Sequence, residues 1–190
     1  RKAFYALPNN SLHSSNYVNL LIRKGDINSI NEAFDLLTYK DNEINWKNYL
    51  IAASNFTPPR DKDLSRKAKI AMDKFPDSQD FKNLYKSIAV GAQGISQSLN
   101  YSNQALQYYN LGDHKNATLL FEKAILANPL EYSYRENAAT SYYLLGDLIK
   151  AEEHINKVIN KMNPFNGKCE YIKALIYIKM GDNLGACPLL

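Results

Sequence analysis

A chain of 190 residues, 45% hydrophobic and 22% charged, is long enough for one single-core domain or one continuous repeat array. Its net charge of +4 comes from lysines interleaved with Glu and Asp, with no run of four basic residues. That pattern fits a solvated surface rather than a nucleic-acid footprint. The most apolar short stretch, residues 174–178, is bounded by Lys173 and Lys179, so nothing approaches the roughly 20 apolar residues of a membrane-spanning helix.

Taken in chain order, the elements read as helices broken at short turns. RKAFYALP (1–8) has the pattern of the last turns of a helix, ending at Pro8. Residues 9–42 form a degenerate hairpin around Gly25-Asp26, with Ile30, Phe34 and Leu37 five, nine and twelve positions beyond the glycine. Residues 43–76 form another, with Trp46, Tyr49 and Ala52 on a first helix and Leu64, Ala68 and Ala71 on a second. Its turn, Thr57-Pro58-Pro59-Arg60-Asp61, puts a proline-stiffened loop where the others have glycine. Residues 77–97 are an offset segment, an irregular helix or a kink: Phe81, Leu84, Tyr85 and Ile88 make a helix-like run, and Gly91 and Gly94 then loosen it. This segment is a spacer or a hinge.

The remaining residues repeat closely. Gly112-Asp113, Gly146-Asp147 and Gly181-Asp182 are spaced 34 and 35 residues apart. Ala105, Ala139 and Ala174 each stand seven residues ahead of the glycine, and Tyr108, Tyr142 and Tyr177 four ahead. Beyond it, Ala117, Phe121 and Ala124 match Ala151, Ile155 and Val158, and a partial copy supplies Ala186 and Leu190. The units are 98–131, 132–165 and 166–190, the first closed by Pro129 and the second by Pro164. Small alanines let paired helices approach closely, the tyrosines are expected to fill the space between hairpins, and glycine ends the first helix in a left-handed conformation. Asp then caps the second helix, and proline stops it. A hairpin of this kind leaves an apolar face that only a neighbouring hairpin covers.

This period and these residues resemble the tetratricopeptide repeat family, with residues 98–131 the best match. The resemblance implies an all-α fold, a right-handed superhelical stack of antiparallel helix hairpins, whose first helices line a concave groove. It also implies a non-catalytic scaffold that holds an extended peptide, a helix or a subunit there. The lining expected from the first repeat is Ser102, Leu106 and Tyr109. Glu136, Asn137, Thr140 and Tyr143 follow from the second, and Lys168, Tyr171, Leu175 and Lys179 from the third. Tyrosine supplies contact area at low entropy cost, Asn137 suits a ligand backbone, and Lys168 or Lys179 suits a carboxylate. Members that bind chaperone tails use a clamp of Lys or Arg with two Asn; Asn137 and Lys168 are suitably placed, whereas Ser102, Leu106 and Ile172 depart from it. The last 65 residues or so are also similar to the carboxyl-terminal repeat region of bacterial O-antigen ligase and polymerase-like membrane proteins. That similarity implies an accessory domain at the periplasmic face of the envelope, with catalysis in an absent polytopic domain. The pattern RKAFYALP at the start and GDNLGACPLL at the end suggests a fragment of a longer chain, whose apolar end faces would permit an end-to-end homodimer.

No catalytic constellation is legible. His13, His114 and His154 are far apart, and no His or Cys spacing suits a metal. GAQG (91–94) lacks a preceding strand and a following Lys-Ser/Thr, so it is no phosphate loop. No cofactor is expected. Cys169 and Cys187 fall on antiparallel helices at distances from the turn that differ by eight residues, or about 12 Å. That is beyond the roughly 7 Å a disulfide spans, so two free, buried structural thiols are expected.

Overall fold

The computed structural model describes residues 11–37, 42–163 and 166–189, and among these every regular element is helical. The terminal segment 1–8 with Pro8, and the positions of Pro164 and Leu190, lie outside the described residues. The fold class is all-α, a tetratricopeptide-like stack of antiparallel helix hairpins. The chain forms two compact units, Arg1–Gly91 and Ala92–Leu190.

In the first unit, α1 (Ser11–Lys24) and α2 (Ile27–Leu37) are joined through Gly25 and Asp26. The Asp26 carboxylate accepts hydrogen bonds from the Ser29 backbone N–H (2.9 Å) and hydroxyl (2.7 Å); these bonds, with Lys24 beside it, hold its pKa down at about 2. α3 (Glu43–Ser54) and α4 (Lys62–Lys74) follow, capped at their amino ends by the side chains of Asn42 and Asp61. The proline-containing turn between them has no glycine, and Arg60 itself takes the left-handed conformation (φ 64°). For a residue with a Cβ this costs on the order of 1–2 kcal/mol. The Arg60 side chain is held in place: its Nε donates to the Val90 carbonyl at 2.7 Å. The core is aromatic and aliphatic, with Trp46, Tyr49, Leu50, Phe81, Ile30 and Leu37 almost wholly buried. Phe34 meets Trp46 edge-on at 5.8 Å, and Phe75 stacks on Phe81 at 5.1 Å.

The offset segment is helical on both sides of a single break. The helical run α5 (Gln79–Asn110) is interrupted at Gly91, whose φ of 74° and ψ of 156° are not helical. Residues 79–90 belong to the first unit and bury Phe81, Ile88 and Val90 there. Residues 92–110 belong to the second unit and form the first helix of its first hairpin. Gly94, expected to loosen the helix, stays within it, because Ser98 and Ala105 further along bury the same helix.

The second unit continues with α6 (His114–Ala127), α7 (Tyr132–Leu145), α8 (Leu148–Lys161), α9 (Gly167–Met180) and α10 (Asn183–Ala186), then a 3₁₀ turn, Cys187–Leu189. Its three Gly-Asp turns are built alike. Gly112, Gly146 and Gly181 are left-handed, at φ 78°, 83° and 85°. The next residue, Asp113, Asp147 or Asp182, donates its backbone N–H to the carbonyl of Tyr108, Tyr142 or Tyr177 at 2.9–3.0 Å, a Schellman closure. Each Asp carboxylate then accepts from the backbone N–H three residues on. The alanines Ala105, Ala117, Ala124, Ala139, Ala151 and Ala174 have no exposed surface, nor do Phe121, Ile155 and Val158.

Two expectations are corrected here. Tyr142 and Tyr177 do reach the preceding hairpin, donating to Glu122 and Glu152 at 3.1 Å, but Tyr108 is 40% exposed. It sits on the first hairpin of its unit and has no earlier hairpin in that unit to close against. Cys169 is buried as expected, but Cys187 is exposed. Regular α-helix stops at Ala186, and the tighter 3₁₀ turn that contains Pro188 rotates Cys187 off the buried face that holds Ala186.

Candidate functional site

Tyr109, near the end of α5, stands on the second unit's first hairpin, while Asn137 and Thr140 share one face of α7 three residues apart, as helical periodicity requires. Lys168 rises from the first turn of α9. These four, with Leu106 and with Phe121 as floor, line one cavity of about 200 Å³. Five of the eleven residues proposed from sequence therefore converge there, drawn from three successive first helices. Phe121 was legible only as a core position; its place under the cavity depends on how α6 packs behind the first helices.

The rest are placed differently. Glu136 is not an outward-facing groove residue: it is 6% exposed. Its carboxylate takes the side-chain amide of Asn166, which caps α9, and the Cys169 thiol at 3.7 Å. The amino end of a helix is a favourable place for an anion, and the approach of α9 buries Glu136 against it. Lys168 Nζ lies 3.5 Å from the other Glu136 oxygen while its side chain stays 56% exposed. The rim cation of the cavity is thus already ion-paired, which weakens the carboxylate-holding role expected of it. Tyr143 and Lys179 form their own contact, the ammonium 4.6 Å from the ring centroid and donating to the Tyr143 carbonyl at 3.2 Å. Tyr171 is exposed, and Ser102, expected to line the groove, is buried.

The chemistry around the groove is quiet. Burial, followed by the adjacent Glu136 carboxylate, pushes the Cys169 thiol up to about 12, so it stays protonated at neutral pH. On the other side of α7, Glu122 accepts from the Tyr142 hydroxyl and pairs with His154 Nε2 at 2.9 Å. A carboxylate only accepts, so Nε2 carries the proton. The His154 hydrogen bond holds the Glu122 carboxyl below the ordinary range, while burial and then Glu122 raise the Tyr142 hydroxyl to about 12. Among the described residues, no group of three or more His, Cys, Asp or Glu side chains is placed to hold a metal ion. No described helix is long and apolar enough to cross a membrane.

No family model and no curated protein matches the chain. Solved structures of MamA are similar in backbone at 17% sequence identity. One titled MamA AMB-1 aligns over 95% of this chain and 89% of its own with a TM-score of 0.44, and one titled MamA MSR-1 over 94% and 93% with a TM-score of 0.46.

Proposed function

We propose that this protein is a non-catalytic interaction scaffold whose second unit holds a protein segment across its first helices. The observation that carries this is the convergence of Leu106, Tyr109, Asn137, Thr140 and Lys168 on one cavity of about 200 Å³. An apolar side chain of the partner enters between Leu106 and Tyr109 over Phe121. The Asn137 amide and the Thr140 hydroxyl, the latter already donating to the Glu136 carbonyl at 2.9 Å, offer acceptor positions to the partner backbone. With Lys168 tied to Glu136, shape and amide chemistry select the partner more than charge does.

A photoactivatable phenylalanine at Thr140 tests this in cell extract, with the same residue at Lys157, exposed on α8, as control. The expected result is one crosslinked partner from position 140, lost on Tyr109→Ala with helicity unchanged. Equal crosslinking from both positions, or none from 140, would refute it. The other parentage, an accessory domain of an O-antigen ligase or polymerase-like glycan enzyme, is carried by the similarity of the last 65 residues or so. It requires the gene to encode multi-span hydrophobic segments ahead of Arg1.

A further inference from the structure

Asn166 is followed by Gly167, the only Asn-Gly pair in the 190 residues. Packing does not require glycine there. Gly167 opens α9 without a left-handed backbone, and a Cβ on it would meet nothing within 4 Å. What glycine does supply is an unhindered backbone nitrogen beside a side-chain amide.

That amide is engaged at both ends in the folded protein. Asn166 is 9% exposed. Its Oδ1 accepts the Cys169 backbone N–H at 3.1 Å, which caps α9, and its Nδ2 donates to the Glu136 carboxylate on α7. The amide carbon must give up both bonds before it can swing onto the Gly167 nitrogen, so the docking of α9 on α7 holds the reactive pair apart.

We propose that Asn166 is a deamidation site gated by the docking of α9, and that its conversion releases the last hairpin in a one-way step. When the first turn of α9 opens, the Gly167 backbone nitrogen gives up its proton and attacks Asn166 Cγ. The bond from Cγ to the side-chain nitrogen breaks, and that nitrogen leaves with the proton as ammonia, closing a succinimide ring. Water then adds to either ring carbonyl and opens the ring to aspartate or isoaspartate, so the net exchange is water in and ammonia out. Neither product rebuilds the site. Aspartate still caps a helix, but an ionised carboxylate has no N–H to donate. It also sets a second negative charge beside buried Glu136, where repulsion is stronger than in water. Isoaspartate adds a methylene to the backbone and moves the cap away from the Cys169 N–H. Undocking α9 uncovers Cys169, which has no exposed surface, and withdraws Lys168 from the cavity of the second unit.

The test is to age the full chain at neutral pH and read conversion at position 166 by peptide mapping and mass spectrometry. Native wild type, wild type unfolded in urea, Glu136→Ala and Gly167→Ala are compared. Conversion should be fast in urea and slow in native wild type. Glu136→Ala should convert at least about tenfold faster than native wild type, because the open fraction of α9 sets the rate. Gly167→Ala should suppress conversion in the native and the unfolded chain alike. Wild type in rising, sub-denaturing urea makes the same measurement without a substitution: conversion should climb in step with hydrogen exchange at the Cys169 amide. Asn166→Asp, standing in for one product, should melt lower than wild type and let a maleimide reach Cys169. The proposal is overturned if native wild type converts as fast as the unfolded chain, or if the rate ignores both Glu136→Ala and the opening of α9 in urea. It is also overturned if Asn166→Asp leaves Cys169 protected, since conversion would then release nothing.

Discussion

Replacing Glu136 separates the value of its charge from the value of its hydrogen bonds. Glu136→Ala leaves the buried Asn166 amide without its acceptor, removes the bond from the Cys169 thiol, and frees Lys168. A buried polar group without a partner costs about 1–3 kcal/mol, and the vacated side-chain volume adds about 1 kcal/mol per lost methylene-sized group. Relief from burying a charge offsets part of this, for a net loss of about 2–3 kcal/mol. Glu136→Gln keeps an oxygen for Asn166 and gives up only the pair with a 56% exposed lysine, worth roughly 0–1 kcal/mol. At about 2–4 °C per kcal/mol for a chain of this length, alanine should lower the melting midpoint by roughly 4–12 °C and glutamine by less than about 4 °C. Circular dichroism at 222 nm reads the midpoints. Amide exchange then localises the loss, which should fall on the first turn of α9, because repeat hairpins open locally. If glutamine proves as damaging as alanine, the charge and not the acceptor holds α9, and the assignment of that anchoring to the Glu136 hydrogen bonds fails.

Three further outcomes follow from the same geometry. Gly146→Ala adds a Cβ that meets nothing within 4 Å, so its cost is the left-handed backbone alone, about 1–2 kcal/mol; Gly167→Ala, also in open space but without a positive φ, should be neutral or slightly stabilising by thermal melt. Under native conditions a maleimide should label Cys187 and spare Cys169, whose thiol burial raises to about 12, and intact mass should show one adduct; two adducts at equal rates would contradict the burial of Cys169. Because the folded Glu122 carboxyl is held below its unfolded value chiefly by His154, the stability it contributes is complete above the unfolded carboxyl range near pH 4.3. It is lost as pH falls through the lower folded value, so the melting gap between wild type and His154→Ala should narrow on acidification below about pH 4; a gap that widens there would reverse the assignment.

The hairpin architecture was determined largely by local sequence. A left-handed glycine, a capping Asp and the carbonyl four residues before the glycine interact within one turn, so the spacing of Gly112-Asp113, Gly146-Asp147 and Gly181-Asp182 specifies the turns without reference to the rest of the chain. The apolar and small positions at fixed offsets likewise determined which helix faces pack. Tertiary structure alone decided how far the next hairpin covers each face. Glu136 and Asn137 are neighbours on α7, yet the amino end of α9 closes over the first and leaves the second lining a cavity. Arg60 takes a backbone conformation that glycine normally serves, held by the carbonyl of Val90 thirty residues away. Cys187 turns outward where α-helix gives way to a 3₁₀ turn. Helical periodicity states which residues share a face; the depth of a face, and which charges on it find partners, depend on contacts between residues far apart in sequence.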